Sequence, residues 1–262
     1  MNVARHVLIV GDGGWGTALA FQLAAAGREV ALWSHDEAYA ALMRERRENP
    51  RYLPGFEIPP EVHISADFQS LVPGTDLIVS AVPTTYLRDV WSRHAPALPA
   101  GTPIVSVSKG LEQSTLLRPT AILAEITGER PIAVLSGPNI AREIASHQPA
   151  VTVVSSPEAD ITRAVQHTFN SEQFRVYSNP DPLGVELGGV LKNVIAIAAG
   201  MSDGLNLGAN AKASLITRGV IEMARLGQAM GGSRSTFFGI SGLGDLLTTC
   251  YSPVSRNRTF GE

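Results

Sequence analysis

Residues 7–20, VLIVGDGGWGTALA, run from apolar Val7, Leu8, Ile9 and Val10 into glycines and then into an alanine- and leucine-rich stretch. Gly11, Gly13 and Gly16 stand as G-x-G-x-x-G. In that spacing the first glycine allows a tight turn, the second lets a pyrophosphate approach the backbone, and the third lets helix and strand pack closely. A helix from Trp15 to about Ala26 would aim its free N–H groups and the positive end of its dipole at that phosphate. Gly27 is placed to end the helix before a second strand, Glu29 to Ser34. A glycine-rich turn alone is a weak signal. A complete strand, glycine turn, helix and strand points to a dinucleotide site rather than to a structural turn.

Outward from this unit, short apolar runs alternate with helical stretches. The runs are Val30 to Trp33, Val62 to Ser65, Leu77 to Val82, Ile104 to Val107, Ile132 to Leu135 and Val151 to Val154. Such alternation predicts strand–helix–strand crossovers and a doubly wound, mainly parallel, Rossmann-like α/β sheet with ligands at the carboxyl ends of its strands. Polar signatures fall at those ends: Ala81-Val82-Pro83-Thr84, Ser108-Lys109-Gly110 and Ser136-Gly137-Pro138-Asn139. Asn49 to Pro60, rich in proline, reads as an ordered loop. After Phe174 to Ser178, Asn179-Pro180-Asp181-Pro182 punctuates the chain and only helical patterns follow. The expected division is a dinucleotide-binding domain over 1–180 and an all-helical substrate domain over 181–262.

The first helix of that second unit, about Leu183 to Met201, is apolar around most of its circumference and so belongs in an interior. It nevertheless carries Lys192 and Asn193. Lys192 shares its face with Gly188, Gly189, Ala196 and Ala199, which are too small to cover an ammonium, so another part of the chain or a ligand must fit beside it. Burial lowers a lysine's pKa and makes it a usable proton donor and acceptor. A second helix, about Asn210 to Met230, should pack on the first through Leu215, Ile216, Val220, Met223 and Leu226. Lys109 could meet substrate oxygens or be a solvated loop lysine. Asp245 could accept from a substrate hydroxyl, orient a lysine or cap a helix. Ser255-Arg256-Asn257-Arg258 gathers donors suited to a phosphate, though a solvated basic loop has the same composition.

The chain has 262 residues, a net charge of −3 with dispersed basic residues, and one cysteine, Cys250. That balance gives no footprint for nucleic acid or an anionic membrane. An intrachain disulfide is impossible, and the histidines lack metal-ligand spacing, so no metal site is expected. The start, MNVARHVLIV, lacks the apolar segment of a secretory signal. No later apolar run free of polar interruption reaches membrane-spanning length, and a cytoplasmic protein without membrane insertion is expected.

Six blocks in order resemble the signatures of bacterial NAD(P)-dependent glycerol-3-phosphate dehydrogenases: Gly11 to Ala20, Val107 to Glu112, Leu135 to Pro138, Leu191 to Ala196, Gly242 to Leu246 and Ser255 to Arg258. The resemblance implies interconversion of dihydroxyacetone phosphate and sn-glycerol 3-phosphate, feeding phospholipid synthesis, by a cytoplasmic homodimer. It implies that Lys192 transfers the proton, with Lys109, Gly137, Asn139, Asn193, Asp245, Ser255, Arg256 and Asn257 on the substrate side. Gly14, Trp15, His35, Lys109, Ala141 and Arg256 fall where the family contacts its coenzyme, beside Gly11, Gly13 and Gly16. Two positions depart from the pattern: Gly14, where serine is frequent, and Asn139, where serine or threonine usually stands. The resemblance also implies that the helical domain continues beyond Glu262, so that this form would bind coenzyme but turn over poorly. A different hydroxy-acid dehydrogenase of the same plan and a catalytically incomplete NAD(P)-binding fragment are the competing readings. Because Leu32-Trp33-Ser34-His35 offers no carboxylate for a ribose 2′-hydroxyl, while His35, Arg44, Arg46 and Arg47 lie close in sequence, NADP is expected to be favoured over NAD.

Overall fold

The computed structural model describes residues 3–262. The sheet-forming half opens with β1 (His6–Val10), α1 (Gly14–Ala25), β2 (Glu29–Trp33), α2 (Glu37–Arg46), β3 (Glu48–Asn49), β4 (Leu53–Glu57) and β5 (His63–Ser65). It continues through α3 (Phe68–Leu71), β6 (Leu77–Ser80), α4 (Thr84–His94), β7 (Ile104–Ser106), α5 (Pro119–Thr127) and β8 (Ile132–Ser136). It closes with α6 (Ala141–Ala145), β9 (Ala150–Ser155), α7 (Ala159–Phe169) and β10 (Phe174–Ser178). Eight strands form one sheet in the order β10-β9-β8-β7-β6-β1-β2-β5. All neighbours are parallel except β8 and β9, so β9 and β10 run against the rest.

The sheet is buried on both faces, which is why its strands read as continuous apolar runs. Leu8, Ile9, Val10, Ile78, Val79, Ile104 and Val105 are all sealed from solvent. The order of strands reverses at β1, whose neighbours are β2 on one side and β6 on the other. In open α/β sheets ligands collect at such a switch point, beyond the carboxyl ends of the strands. Gly27, at φ +75°, makes the turn from α1 to β2. The expected loop over Asn49 to Pro60 instead contains most of a small antiparallel hairpin, β3 with β4. Its proline is tolerated because the ribbon has just two strands and each is an edge.

The helical half comprises α8 (Pro182–Gly204), α9 (Gly208–Ala229), a π turn (Ile240–Gly244), α10 (Asp245–Tyr251) and α11 (Arg256–Gly261). Leu187, Ala196 and Ala199 of α8 pack with Ile216, Val220, Met223 and Ala224 of α9 and with Phe237, Leu246 and Cys250. Two expectations are corrected here. Leu226 is exposed, because the inward face passes from Met223 to Gly227, and Gly227 lies so close to the Phe237 ring that no Cβ would fit. The apolar circumference of α8 is not wholly interior either: Val194 is 74% exposed and Met201 53%. By length and hydropathy α8 could cross a membrane, yet most of it is buried against its neighbours. Ser255 to Arg258, read as a polar segment, starts α11, with the Ser255 hydroxyl capping the Arg258 N–H at 3.3 Å.

Candidate active site

The glycine turn fits a dinucleotide. A Cβ on Gly11 would meet the Ala81 carbonyl oxygen at 2.8 Å, and one on Gly16 would run into the Gly11 carbonyl, so strand, helix and the end of β6 close together only around glycines. At Gly13 a Cβ would meet nothing within 4 Å, which leaves open space beside the backbone. The first turn of α1 has neither a side-chain cap nor an acidic residue, so its N–H groups are left for an anion. Gly14 has its own reason for departing from serine, since a Cβ there would come 2.7 Å from the Tyr52 carbonyl oxygen.

The turn is held from behind by Asn49, a residue that sequence reasoning passed over inside its loop. Asn49 is fully buried and its side chain makes four hydrogen bonds. Its Nδ2 donates to the Asp12 carbonyl and to Thr17 Oγ1, both at 2.7 Å, and its Oδ1 accepts from Tyr39 Oη at 2.5 Å and from the Tyr52 N–H at 3.0 Å. A buried amide with every partner in place fixes the hairpin, α2 and the glycine turn as one unit.

The lysine cluster is assembled from both halves of the chain. Ser108 Oγ donates to the Val82 carbonyl at 2.6 Å, and Thr84 Oγ1 to the Lys109 carbonyl at 3.3 Å, which ties the loop after β7 to the turn after β6. Lys109 Nζ reaches the Gly137 carbonyl at 3.1 Å and Asp245 Oδ2 at 2.6 Å. Lys192 Nζ donates to the other carboxylate oxygen, Oδ1, and to Thr249 Oγ1 at 2.6 Å. Lys192 and Asp245 are 6% and 2% exposed, whereas the Lys109 side chain keeps 27%.

The small residues beside Lys192 explain how this is possible. A Cβ on Gly189 would approach Lys109 Cδ and Cε at 3.4 Å and Ser136 Oγ at 2.7 Å, so Lys109 lies across α8 where the glycine is. On Gly188 a Cβ would meet the Ser241 carbonyl oxygen at 2.6 Å, so the π turn that delivers Asp245 sits there. Glu186, also passed over in the sequence, is 2% exposed and anchors the first turns of α8. It accepts from Arg118 Nη1 at 2.7 Å, from the Thr120 N–H at 2.8 Å and from Thr120 Oγ1 at 2.6 Å. Burial, reinforced by the neighbouring Lys109 ammonium, pushes Lys192 down to about 8 against the opposing pull of Asp245. A lysine so placed exchanges a proton near neutral pH.

Other expected site residues divide into two sets. Arg256 is exposed at the start of α11 and His35 is exposed beyond β2, each free to meet a ligand; Trp15 and Ala141 stand at the starts of α1 and α6. Asn139 is turned into the sheet instead, with Nδ2 donating to the Val151 carbonyl and Oδ1 accepting from Thr152 Oγ1, both at 3.0 Å. Asn257 donates to Asn193 Oδ1 at 2.8 Å, which docks α11 on α8. Among the arginines expected to favour a 2′-phosphate, Arg44 bonds the Ile64 carbonyl and Glu37, and Arg47 bonds the carbonyls of Ile58, Pro59 and Val62.

A glycine turn at the switch point of a doubly wound sheet, followed by helices that carry a buried lysine, defines a two-part oxidoreductase that uses a nicotinamide dinucleotide. Family models described as NAD-dependent glycerol-3-phosphate dehydrogenase N-terminus and C-terminus match residues 6–162 and 181–262. The chain belongs to the NAD-dependent glycerol-3-phosphate dehydrogenase family, whose relatives here use NAD or NADP. It is 46% identical over 263 residues to glycerol-3-phosphate dehydrogenase (NAD(P)+) 2 of Mycobacterium tuberculosis strain H37Rv, covering 100% of this chain and 79% of that protein. Its identity to the protein of the same name from Salinibacter ruber is 47%, covering 99% of this chain and 76% of the other. The crystal structure of glycerol-3-phosphate dehydrogenase from Coxiella burnetii superposes with a TM-score of 0.94 at 40% identity, over 98% of this chain and 79% of that one.

Proposed function

We propose that this chain interconverts dihydroxyacetone phosphate and sn-glycerol 3-phosphate with NAD(P)H or NAD(P)+. The observation that carries the reading is the pair of ammonium groups, Lys109 and Lys192, gathered on the two oxygens of one buried carboxylate. Bound NAD(P)H supplies the hydride to the carbonyl carbon. Lys192 donates the proton to the carbonyl oxygen and stabilises the negative charge that develops there. Asp245 keeps that lysine charged and aimed, and Lys109 offers a second positive group to substrate oxygens. Arg256, exposed and without a partner among the described residues, takes the phosphate and so holds the reacting atoms in register. Gly11, Gly13, Gly14, Trp15, Gly16 and His35 hold the coenzyme, with Ala141 at its edge.

Residues 1–180 serve as the coenzyme half and 181–262 as the substrate half; the last strand ends at Ser178 and α8 begins at Pro182. We assign the protein to the cytoplasm, to the supply of glycerol phosphate for phospholipids, and to a homodimer. The exposed Val194, Met201, Leu205 and Phe260 on the helical half support association. The deciding experiment is a purified-protein assay of NAD(P)H oxidation dependent on dihydroxyacetone phosphate. Oxidation with that substrate, and none with unphosphorylated hydroxy acids, is the expected result. No turnover with coenzyme bound would sink the reading, and a concentration-independent monomer mass in light scattering would remove the dimer.

A further inference from the structure

Asp12, between the first two glycines, is a buried carboxylate without a described basic partner. It is 6% exposed, and its Oδ2 accepts from Ser34 Oγ at 2.7 Å. Its Oδ1 accepts no hydrogen bond from any described residue. Ser34 itself is sealed from solvent immediately after β2, where its N–H donates to the Ser65 carbonyl at 3.0 Å. Of the two acceptors in reach of the Ser34 hydroxyl, Asp12 Oδ2 at 2.7 Å is nearer than the Asp36 carbonyl at 3.2 Å, and the Asp36 N–H donates weakly to Ser34 Oγ at 3.4 Å. The bond between the Asp12 carbonyl and Asn49 fixes the backbone on the other side.

Dinucleotide folds place the adenosine ribose against the carboxyl end of the second strand. A carboxylate there accepts from the 2′-hydroxyl of NAD and repels the 2′-phosphate of NADP. In this chain β2 and the two residues after it contain no acid at that place. We infer that Asp12 is the coenzyme-discriminating carboxylate, supplied by the glycine turn and steered to the end of β2 by Ser34. The inference rests on the coenzyme site proposed above. It opposes the NADP preference expected from the sequence. Arg44 and Arg47 do not offset it, since both are engaged with carbonyl groups elsewhere; exposed Arg46 lies at the far end of α2 from Ser34, and the Asp36 carboxylate caps the near end of α2 through the Tyr39 N–H.

The test is the dissociation constant of NADH and of NADPH, each titrated by nicotinamide fluorescence into the native chain, Asp12→Asn and Asp12→Ser, without substrate. Asparagine keeps the shape and can still accept from Ser34; serine removes the group altogether. Removing the charge should move the NADPH-to-NADH affinity ratio by about tenfold or more toward NADPH in both variants. 2′-Deoxy-NADH should bind the native chain more weakly than NADH does, with a smaller difference in the variants. An unchanged ratio in variants that retain the native melting temperature would overturn the assignment. A native chain that binds neither coenzyme would overturn the site itself and this inference with it.

Discussion

Lys109 Nζ lies 2.6 Å from Asp245 Oδ2, across 136 positions of sequence, and the other oxygen of the same carboxylate holds Lys192. One anion thus fixes two cations at the seam between the sheet and the helices. Removing the carboxylate would leave two ammonium groups facing each other, whereas removing either lysine leaves a one-to-one ion pair.

Lys192→Met keeps most of the side-chain length and deletes the ammonium. The variant should lose at least about a hundredfold in kcat, the lower range for an acid–base group, while NADH titration returns the native dissociation constant. Normal turnover would show that another group moves the proton.

The pH profile follows from the lowered Lys192 value of about 8. Reduction of the ketone needs the protonated amine, so kcat/KM in that direction should fall as pH rises through about 8. Oxidation of the alcohol needs the neutral amine and should rise through the same range. Profiles that stay flat in both directions between pH 7 and 9 would contradict the assignment.

Asp245→Asn leaves two ammonium groups facing each other without their anion. Breaking such a buried pair costs about 3 kcal/mol of stability, to be read by denaturant titration. The alkaline limb of the reduction profile should move to lower pH, because the charged form of Lys192 loses its main support. A limb that stays in place would mean that Asp245 is merely structural.

For Asn49→Ala we expect a loss of about 2 kcal/mol, since the Asp12 carbonyl, Thr17 and Tyr39 lose a buried partner together. The KM for coenzyme should rise while kcat at saturation stays close to native. An equal fall of kcat at saturating coenzyme would point to a different role.

Arg256→Gln should leave the melting temperature unchanged, because the side chain is exposed and bonds nothing described. Its KM for dihydroxyacetone phosphate should rise about tenfold or more, and the advantage of that substrate over unphosphorylated dihydroxyacetone should shrink. An advantage of native size would place the phosphate elsewhere.

The sequence by itself determined what is local. Hydrophobic runs bounded by glycine and proline set the strands of the sheet within a residue or two, and spacing set the glycine turn. The lysine in an apolar helix beside Gly188 and Gly189 announced that something had to fit there. What fits was not legible: Lys109 comes from a loop about 80 residues earlier, and Asp245 from the first position of α10, set by a preceding π turn that no periodicity foretells.

The same division explains the residues that were misread or missed. Asn139 carries the right groups for a substrate oxygen, yet Val151 and Thr152 on β9 claim both ends of its amide. Asn49 and Glu186 looked like ordinary polar residues, because nothing adjacent in the chain reveals that four and three hydrogen bonds await them. The end of β2, Leu32-Trp33-Ser34-His35, offers no carboxylate for a ribose. The fold brings the Asp12 carboxylate from the glycine turn after β1 against Ser34, just past the end of β2. Side-chain chemistry and backbone period are written residue by residue, so they survive without the fold. Which distant groups share a buried charge or a hydrogen bond is decided by parallel strand register and helix docking, and only tertiary structure supplies those.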